Sequence, residues 1–295
     1  MNSPRKIGIL TFHKCINYGS YWQARCLVEG LRARGDDAVL LDHSCDTVTR
    51  AELRCAFQPR LPERSSRTDI RDYGTKVRAF LDAFAELPLS DSFPLHEPEA
   101  LEGFEAIVVG SDEVWNLRHP WYGQKPIFYG AGLRTDRLVS YAASFGNHDV
   151  SDGLHPWWAS HLESFGAISV RDDNSRKLIE GALGRDPHLV LDPCLQFPGP
   201  ARLDADKSAR PYALVYGHGF PDAFAAAVRR WAERKGQQLI SIGYRNDWAD
   251  VQRLSSGPHE FAKAMAGASA VITNFFHGCV FALLNEKPFA TTPTA

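Results

Sequence analysis

The fold is indicated first by residues 6–34, KIGILTFHKCINYGSYWQARCLVEGLRAR. A short apolar run, Lys6–Phe12, leads into the polar turn Asn17-Tyr18-Gly19-Ser20, and the helical stretch Trp22–Arg34 follows. A buried strand, a small-residue turn and a helix in this order are typical of α/β proteins. The pattern therefore predicts a parallel sheet with crossover helices.

The same alternation continues along the chain. Short runs rich in Val, Ile and Leu predict further strands at residues 38–42, 106–110, 138–142, 167–170 and 189–191. A second series predicts strands at residues 212–216, 239–243, 270–273 and 288–291, with helices at 222–235 and 259–267. Two such series predict two Rossmann-like domains, and open sheets of this kind bind ligands beyond the carboxyl ends of their strands.

The boundary between the two series is marked by composition. Residues 198–211 contain several prolines and charges and are typical of a linker. We therefore predict an N-terminal domain over 1–197 and a C-terminal α/β domain over 212–295. Residues 46–72 carry many arginines, two prolines and little periodicity, which predicts an excursion or mobile loop.

Composition and charge exclude several classes of protein. The formal net charge is −2, so there is no broad basic surface for nucleic acid, although a local basic pocket stays open. The six cysteines are scattered without a C-x-x-C pair, which favours a reduced intracellular protein. The sequence shows no signal peptide and no apolar run of the roughly 18–20 residues that cross a bilayer. We expect a cytoplasmic protein.

Two of the turns that follow predicted strands carry polar residues suited to binding. At residues 17–20, Asn17 or Ser20 can cap a helix, and Gly19 would let an anionic ligand approach backbone N–H groups. A plain turn and cap explain this pattern equally well, because neither G-x-G-x-x-G nor a Walker loop is present. After the strand at 106–110, Asp112 could contact a sugar hydroxyl, orient a base or cap the next segment. Trp115 could stack on a sugar or simply pack.

Two later turns carry a cation and an imidazole. Arg171 follows the strand at 167–170 and can form a fork to a phosphate or carboxylate, or an ion pair with Asp172 or Asp173. His277 follows the strand at 270–273 and is the histidine best placed for acid/base chemistry near neutral pH. No H-x-x-x-H or H-E-x-x-H pattern surrounds it, which argues against a zinc site.

Taken together, these turns resemble the polysaccharide pyruvyl transferase family. The resemblance covers about 280 residues and rests on the order and spacing of several motifs, each weak alone. The matching motifs are Asn17-Tyr18-Gly19-Ser20, Val109-Gly110-Ser111-Asp112 with Val114-Trp115-Asn116, Ser140-Tyr141-Ala142-Ala143-Ser144-Phe145-Gly146, Ser169-Val170-Arg171-Asp172, Leu191-Asp192-Pro193, Phe276-His277-Gly278 and Lys287-Pro288-Phe289.

The resemblance implies a GT-B-like fold and a reaction that needs no redox cofactor and no metal. Phosphoenolpyruvate would be the donor, and a hydroxylated acceptor, normally a glycan, would receive pyruvate as a ketal. A lipid-linked acceptor would bring the protein to a membrane surface. His277 and Asp112 would be catalytic. Residues expected to contact donor or acceptor are Asn17, Tyr18, Gly19, Ser20, Gly110, Ser111, Trp115, Asn116, Ser144, Arg171, Asn274, Gly278 and Lys287.

This chain departs from the family pattern in two places. Some family members carry an arginine just before the histidine, where this chain has Phe275 and Phe276, so Lys287 or Arg245 would have to supply the carboxylate contact. The family pattern normally continues with further helices past Lys287-Pro288-Phe289, which predicts a short C-terminal domain here. The alternatives are a nucleotide-sugar glycosyltransferase of the same fold and a binding protein without catalysis.

Overall fold

A computed structural model of the chain describes residues 4–59, 61–62, 64–205 and 210–293. Over these residues strands β1 to β13 run over Lys6–Leu10, Asp37–Leu40, His43–Ser44, Phe93–Pro94, Ala106–Val109, Arg137–Ser140, Ser169–Val170, His188–Leu189, Tyr212–Tyr216, Gln238–Ile242, Val251–Arg253, Ala270–Thr273 and Phe289–Thr291. Helices α1 to α9 run over Tyr18–Arg32, Asp46–Phe57, Arg67–Ala85, Pro156–Leu162, Asp173–Leu183, Pro193–Gln196, Asp222–Lys235, Pro258–Gly267 and Phe276–Leu284.

The described residues divide into two compact units. The first lies within Met1–Cys15, Gln23–Ala51 and Leu87–Phe197, and the second within Ile16–Trp22, Glu52–Glu86 and Pro198–Ala295. The second unit thus includes two stretches that precede residue 197 in the chain. Both stretches lie within the N-terminal domain predicted from the sequence, 1–197, and join residues of the predicted C-terminal domain, 212–295, in one unit.

The first unit is built on a parallel sheet with the strand order β2-β1-β5-β6. β7 and β8 form a separate parallel pair, which single bridges from Val139 to Ala167 and from Ala143 to Val170 join to β6. The central strands β1 and β5 are almost entirely buried, and their side chains belong to a core that also contains Trp115, Phe128 and Phe145. Strands buried on both faces are typical of parallel sheets covered by helices.

The second unit is built on a five-stranded parallel sheet with the order β11-β10-β9-β12-β13. The central strands β9 and β12 are buried at every position, as their runs of Val, Leu and Ile predict. Helix α7 covers one face through Val228 and Ala232, which pack with Leu239 and Ile272. The α/β class and all ten strands predicted from the sequence are confirmed, each to within two residues at either end.

The prediction of a loop over residues 46–72 is wrong. Helix α2 occupies Asp46–Phe57, and α3 begins at Arg67 behind a capping box in which Ser66 and Asp69 bond each other's backbone N–H. The buried residues of α3 include Tyr73, Val77 and Phe80, which recur at helical spacing. Because α3 also carries surface arginines, the composition of this stretch does not show that the helix has an apolar face.

Within the predicted linker at 198–211, Gly199–Ala201 forms a single 3-10 turn, and residues 206–209 lie outside the described residues. None of the helices described here is long and apolar enough to cross a membrane.

Candidate functional site

In the first unit, two carboxylates and a guanidinium meet beyond the carboxyl ends of the strands. Asp112 follows β5 and Arg171 follows β7. Arg171 Nη2 donates to Asp112 Oδ1 at 3.2 Å, and Arg171 Nη1 donates to Asp192 Oδ2 at 2.9 Å. All three side chains are less than one tenth exposed. The parallel sheet brings together residues that lie 59 and 21 positions apart in the chain.

The cluster contains one positive charge, on Arg171, and two carboxylates, those of Asp112 and Asp192. Burial alone would lower the pKa of Arg171, but the neighbouring carboxylates of Asp112 and Asp192 raise it above the usual value. The guanidinium is therefore permanently charged and faces two carboxylates at hydrogen-bonding distance. A positive charge that is already compensated attracts a further anion less strongly than an isolated one, so the ion pairs weaken the case for Arg171 as a donor-anion contact.

One alternative for Arg171 was an ion pair with Asp172 or Asp173, whereas the acidic partners observed are Asp112 and Asp192. Asp172 is instead the N-cap of α5, where its Oδ1 accepts from Ser175 N at 2.7 Å and its Oδ2 accepts from Ser175 Oγ at 3.0 Å. A carboxylate at an N-cap satisfies an otherwise unbonded amide.

Several predicted contact residues lie beside this cluster in a network of hydrogen bonds. Ser144 donates its backbone N–H to Asp112 O at 3.0 Å, and Asn116 Nδ2 donates to Glu113 Oε2 at 2.6 Å. Ser111 is fully buried, and its carbonyl accepts from Thr11 Oγ1 at 2.9 Å. Gly110 has a φ of 109°, and a Cβ there would come 2.4 Å from Tyr141 O, so this position requires glycine. The network supports the turn that carries Asp112.

Trp115 does not present a face to a sugar. Its side chain is fully buried, its Nε1 donates to Phe128 O at 2.8 Å, and its ring packs at 5.4 Å from the ring of Phe145. A buried indole with a satisfied N–H is a packing residue. The prediction that Trp115 contacts substrate is therefore wrong.

In the second unit, the imidazole of His277 lies against the start of helix α1. A Cβ added to Gly19 would come 2.1 Å from His277 Nδ1, a separation that real side chains do not reach. Gly19 is the second residue of α1 and His277 the second residue of α9. The first turns of two helices thus converge at this imidazole, and helix N-termini favour negative charge nearby.

Gly19 serves a different purpose from the one expected. Asn17 Oδ1 accepts from Gly19 N at 2.8 Å and from Ser20 N at 3.2 Å, so Asn17 is the cap of α1. These two amides are used by the protein itself and are not offered to a ligand. The absence of a side chain at Gly19 makes room for His277 instead.

Tyr18 is also a packing residue. It is 1% exposed, its ring stacks on Phe261 with a centroid separation of 4.3 Å, and its hydroxyl donates to Ser256 O at 2.7 Å. The prediction that Tyr18 contacts substrate is wrong, because both its ring and its hydroxyl are committed inside the second unit.

The turn before α9 is held by its own side chains. Thr273 Oγ1 donates to Tyr216 O at 2.6 Å and accepts from Phe275 N at 3.1 Å. A Cβ on Gly278 would come 2.0 Å from Thr273 Oγ1, so glycine is needed there for packing. Asn274 Nδ2 donates to His218 O at 2.8 Å. These contacts fix the turn between β12 and α9, the helix that carries His277.

The two cations expected to replace a missing arginine do not lie where that role needs them. Arg245 Nε donates to Asp69 Oδ1 and its Nη1 to Asp247 Oδ1, both at 3.0 Å, so its charge is compensated. Lys287 follows the C-terminal end of α9, whereas His277 lies at its N-terminal end. At about 1.5 Å per residue, the helix separates their Cα atoms by more than about 10 Å.

The sequence analysis missed two buried charged groups. In the first unit, His13 Nε2 and Lys14 Nζ lie 3.2 and 2.5 Å from Asp42 Oδ1. In the second unit, Lys76 on α3 is 3% exposed, and its ammonium donates to Gly243 O at 3.1 Å. Asp42 and His13 end predicted strands and could have been singled out, but Lys76 lies just beyond a segment that had been interpreted as a loop.

The comparisons with known proteins agree with this structure. A family model described as polysaccharide pyruvyl transferase matches residues 17–292. The chain therefore belongs to the polysaccharide pyruvyl transferase family, a family of transferases. No curated protein sequence matches the chain.

Similar solved structures show the same fold at low identity. A UDP-N-acetylglucosamine 2-epimerase has a TM-score of 0.57 at 11% identity, covering 100% of this chain and 80% of that chain. The UDP-GlcNAc 2-epimerase from Methanocaldococcus jannaschii has a TM-score of 0.51 at 11% identity, covering 97% and 83%. The MnaA–UDP structure from S. aureus has 0.52 at 12% identity, covering 97% and 78%. These likenesses confirm the GT-B-like fold class.

Proposed function

We propose that this chain transfers pyruvate from phosphoenolpyruvate to two hydroxyls of a glycan or another hydroxylated acceptor, with release of phosphate. The observation that carries the proposal is the placement of the His277 imidazole against Gly19, where the first turns of α1 and α9 converge. An acid/base group beside helix N-termini suits a donor that carries a phosphate and a carboxylate.

The proposed reaction needs proton transfers but no redox step. A proton from His277 adds to C3 of the enol, which turns the methylene into a methyl group and makes C2 electrophilic. An acceptor hydroxyl attacks C2 and gives up its proton, and the bond from C2 to the phosphate oxygen then breaks. A second hydroxyl attacks C2, loses its proton and closes the ketal. One imidazole can act first as acid and then as base.

The other predicted residues take supporting parts in this proposal. Asp112, in the first unit, is buried and bonded to Arg171, and its catalytic part stays a prediction. Gly278 and Asn274 shape the turn that presents His277. No redox cofactor is required, because no electrons are transferred.

The proposal is tested by phosphate release from phosphoenolpyruvate in the presence and absence of glycoside acceptors. We expect acceptor-dependent release by the wild type and a loss of about 10²-fold or more in His277→Ala, the range for removal of a general acid/base. His188→Ala is the matched control, because His188 is an exposed histidine on β8. Full activity of His277→Ala would remove the imidazole from the reaction.

Two other functions are separated by a second measurement. A nucleotide-sugar glycosyltransferase of the same fold would be stabilised against heat by a nucleotide sugar and not by phosphoenolpyruvate. A binding protein without catalysis would be stabilised by ligand but would release no phosphate with any acceptor. Stabilisation by phosphoenolpyruvate together with acceptor-dependent phosphate release is the outcome that we expect.

A further inference from the structure

Three neighbouring strands of the second sheet end in the same way. The second residue beyond the end of β9, β10 and β12 carries a ring in each case: these residues are His218, Tyr244 and Phe275. The sheet order β10-β9-β12 sets these strands side by side and parallel. The repeat therefore brings three rings together at the carboxyl edge of the sheet, where α/β proteins bind their ligands.

The three rings contact one another, and we call them the aromatic shelf. The centroid of His218 lies 5.1 Å from that of Tyr244 and 5.4 Å from that of Phe275, and Tyr244 and Phe275 lie 5.4 Å apart. All three side chains are half-buried rather than enclosed. Below the shelf, Phe275 also packs on the fully buried ring of Tyr216 at 5.0 Å. The shelf is thus an ordered surface that retains access to solvent.

The residues just before the rings set the shape of the three turns that carry the shelf. Gly217 and Gly243 precede two rings, with φ values of 144° and 75° that favour glycine. Asn274 precedes the third, and its Nδ2 ties two of the turns together by donating to His218 O at 2.8 Å. Asn274 Oδ1 is buried and accepts no hydrogen bond from any residue within 4–59, 61–62, 64–205 and 210–293. This oxygen lies against Gly217, where an added Cβ would come 2.0 Å from it, so the close packing of the turn requires glycine there.

The shelf lies close to the proposed acid/base group. Phe275 precedes His277 by two residues, so their Cα atoms are no more than about 7 Å apart. The shelf residue Phe275 and the proposed acid/base group are therefore carried by the same turn at the start of α9.

We propose that the aromatic shelf binds a sugar ring of the acceptor. The apolar C–H face of the sugar lies on Phe275, while its hydroxyls meet the His218 imidazole. This combination of aromatic faces and a few placed polar groups is typical of small-molecule sites. The inference rests on the proposed function, since it assigns the acceptor position of that reaction.

The chemistry of the shelf favours the acceptor over the donor. Phosphoenolpyruvate is small and carries two anionic groups, and it has no apolar ring face. The faces of aromatic rings carry the negative end of their quadrupole, which disfavours phosphate and carboxylate. One face of Tyr244 is already used by the Lys76 ammonium, whose Nζ lies 4.7 Å from the ring centroid.

The inference is tested by measuring the binding of the methyl glycosides of galactose, glucose, mannose and N-acetylglucosamine, and separately of phosphoenolpyruvate. In Phe275→Leu we expect the Kd of the best-bound glycoside to rise by roughly threefold to tenfold, the range for loss of one aromatic pair, while the Kd of phosphoenolpyruvate stays unchanged. Phe289→Leu is the matched control, because Phe289 is a 40% exposed aromatic of the same unit outside the shelf.

Further variants keep the test independent of folding and of the proposed reaction. Leucine preserves much of the packing of Phe275 on Tyr216, and if that variant fails to fold, Tyr244→Leu and His218→Gln are measured in the same way. Unchanged glycoside binding in shelf variants, weaker binding of phosphoenolpyruvate instead, or no binding of any glycoside by the wild type would overturn the inference. Glycoside binding without phosphate release would leave the shelf intact and refute the proposed function.

Discussion

The His277 imidazole is held against Gly19 so closely that a Cβ on Gly19 would come 2.1 Å from His277 Nδ1. The histidine and the glycine lie more than 250 positions apart in the chain, yet each is the second residue of a helix of the second unit. The position of the imidazole thus depends on a residue that has no side chain.

Gly19→Ala should displace His277 and lower the stability, because the added Cβ would also come 2.3 Å from Cγ and 2.8 Å from Cβ of this buried side chain. Alanine favours helix over glycine by about 1 kcal/mol, which offsets part of the strain. A displacement of about 1 Å at a reacting group can cost about 10²-fold in rate. We expect kcat for phosphate release to fall by about that factor, as measured by initial rates.

The control for this prediction is Gly181→Ala. Gly181 is a glycine of α5, and a Cβ there meets no atom within 4 Å. Equal rates in the two alanine variants would show that the Gly19 contact does not position the imidazole.

Arg171→Met should strongly destabilise the first unit. The substitution leaves the buried carboxylates of Asp112 and Asp192 facing each other without a cation, and breaking a buried pair costs roughly 3–5 kcal/mol. Urea unfolding measures the effect. Arg176→Met, which removes ion pairs of a surface arginine, should leave the stability almost unchanged. Similar losses in both variants would contradict the account of the buried cluster.

Asp42 should make the protein more sensitive to acid. Burial alone would raise the pKa of Asp42, but hydrogen bonds with His13 and Lys14 lower it to about 2. Because an unfolded aspartate has a pKa of about 3.9, the unfolded chain binds this proton first as the pH falls. The stabilisation is therefore complete above about pH 4 and is lost toward pH 2.

The measurement for Asp42 is the free energy of unfolding at several pH values between about 5 and 3. Wild type should lose about 1 kcal/mol more than Asp42→Asn over this range. Parallel curves for the two proteins would show that Asp42 does not have a lowered pKa.

Lys76 should give a pH dependence of the same sign as Asp42, but in an alkaline window. Burial lowers the pKa of Lys76 to about 8, below the value of about 10.4 in an unfolded chain. The unfolded state therefore keeps its proton between about pH 8 and pH 10 while the folded state has lost it, so this lysine makes stability rise with pH in that window.

Lys76→Met provides the comparison for this lysine. Relative to the variant, the wild type should gain roughly 2–3 kcal/mol of unfolding free energy between about pH 8 and pH 10. Urea unfolding of both proteins at each pH gives the difference directly. A constant difference would mean that Lys76 keeps an ordinary pKa.

The parts of this fold that the sequence predicts are those that local patterns define. Short runs such as Ala270–Thr273 are buried at every position, and their apolar composition predicts a strand. Helix α3 does not, because its surface arginines and the prolines before it outweigh an apolar face at Tyr73, Val77 and Phe80. Helical periodicity in that stretch would have revealed it.

The site residues depend more on contacts between distant parts of the chain. Arg171 could be predicted to lie at a strand end, but its partners Asp112 and Asp192 are set by the sheet order. The family resemblance implies substrate contacts for Trp115 and Tyr18, whereas their burial is a property of the packed core. No local signal separates a core tryptophan from one that stacks on a sugar.

The central claim is that pyruvate moves from phosphoenolpyruvate to an acceptor through the action of His277. The most direct measurement is the transfer of ¹³C from labelled phosphoenolpyruvate to a methyl glycoside, followed by mass spectrometry, with wild type, His277→Gln and His188→Gln side by side. We predict labelled glycoside with the wild type and His188→Gln, and a loss of about 10²-fold or more with His277→Gln. Equal labelling by His277→Gln, or label that appears only in free pyruvate, would contradict the account.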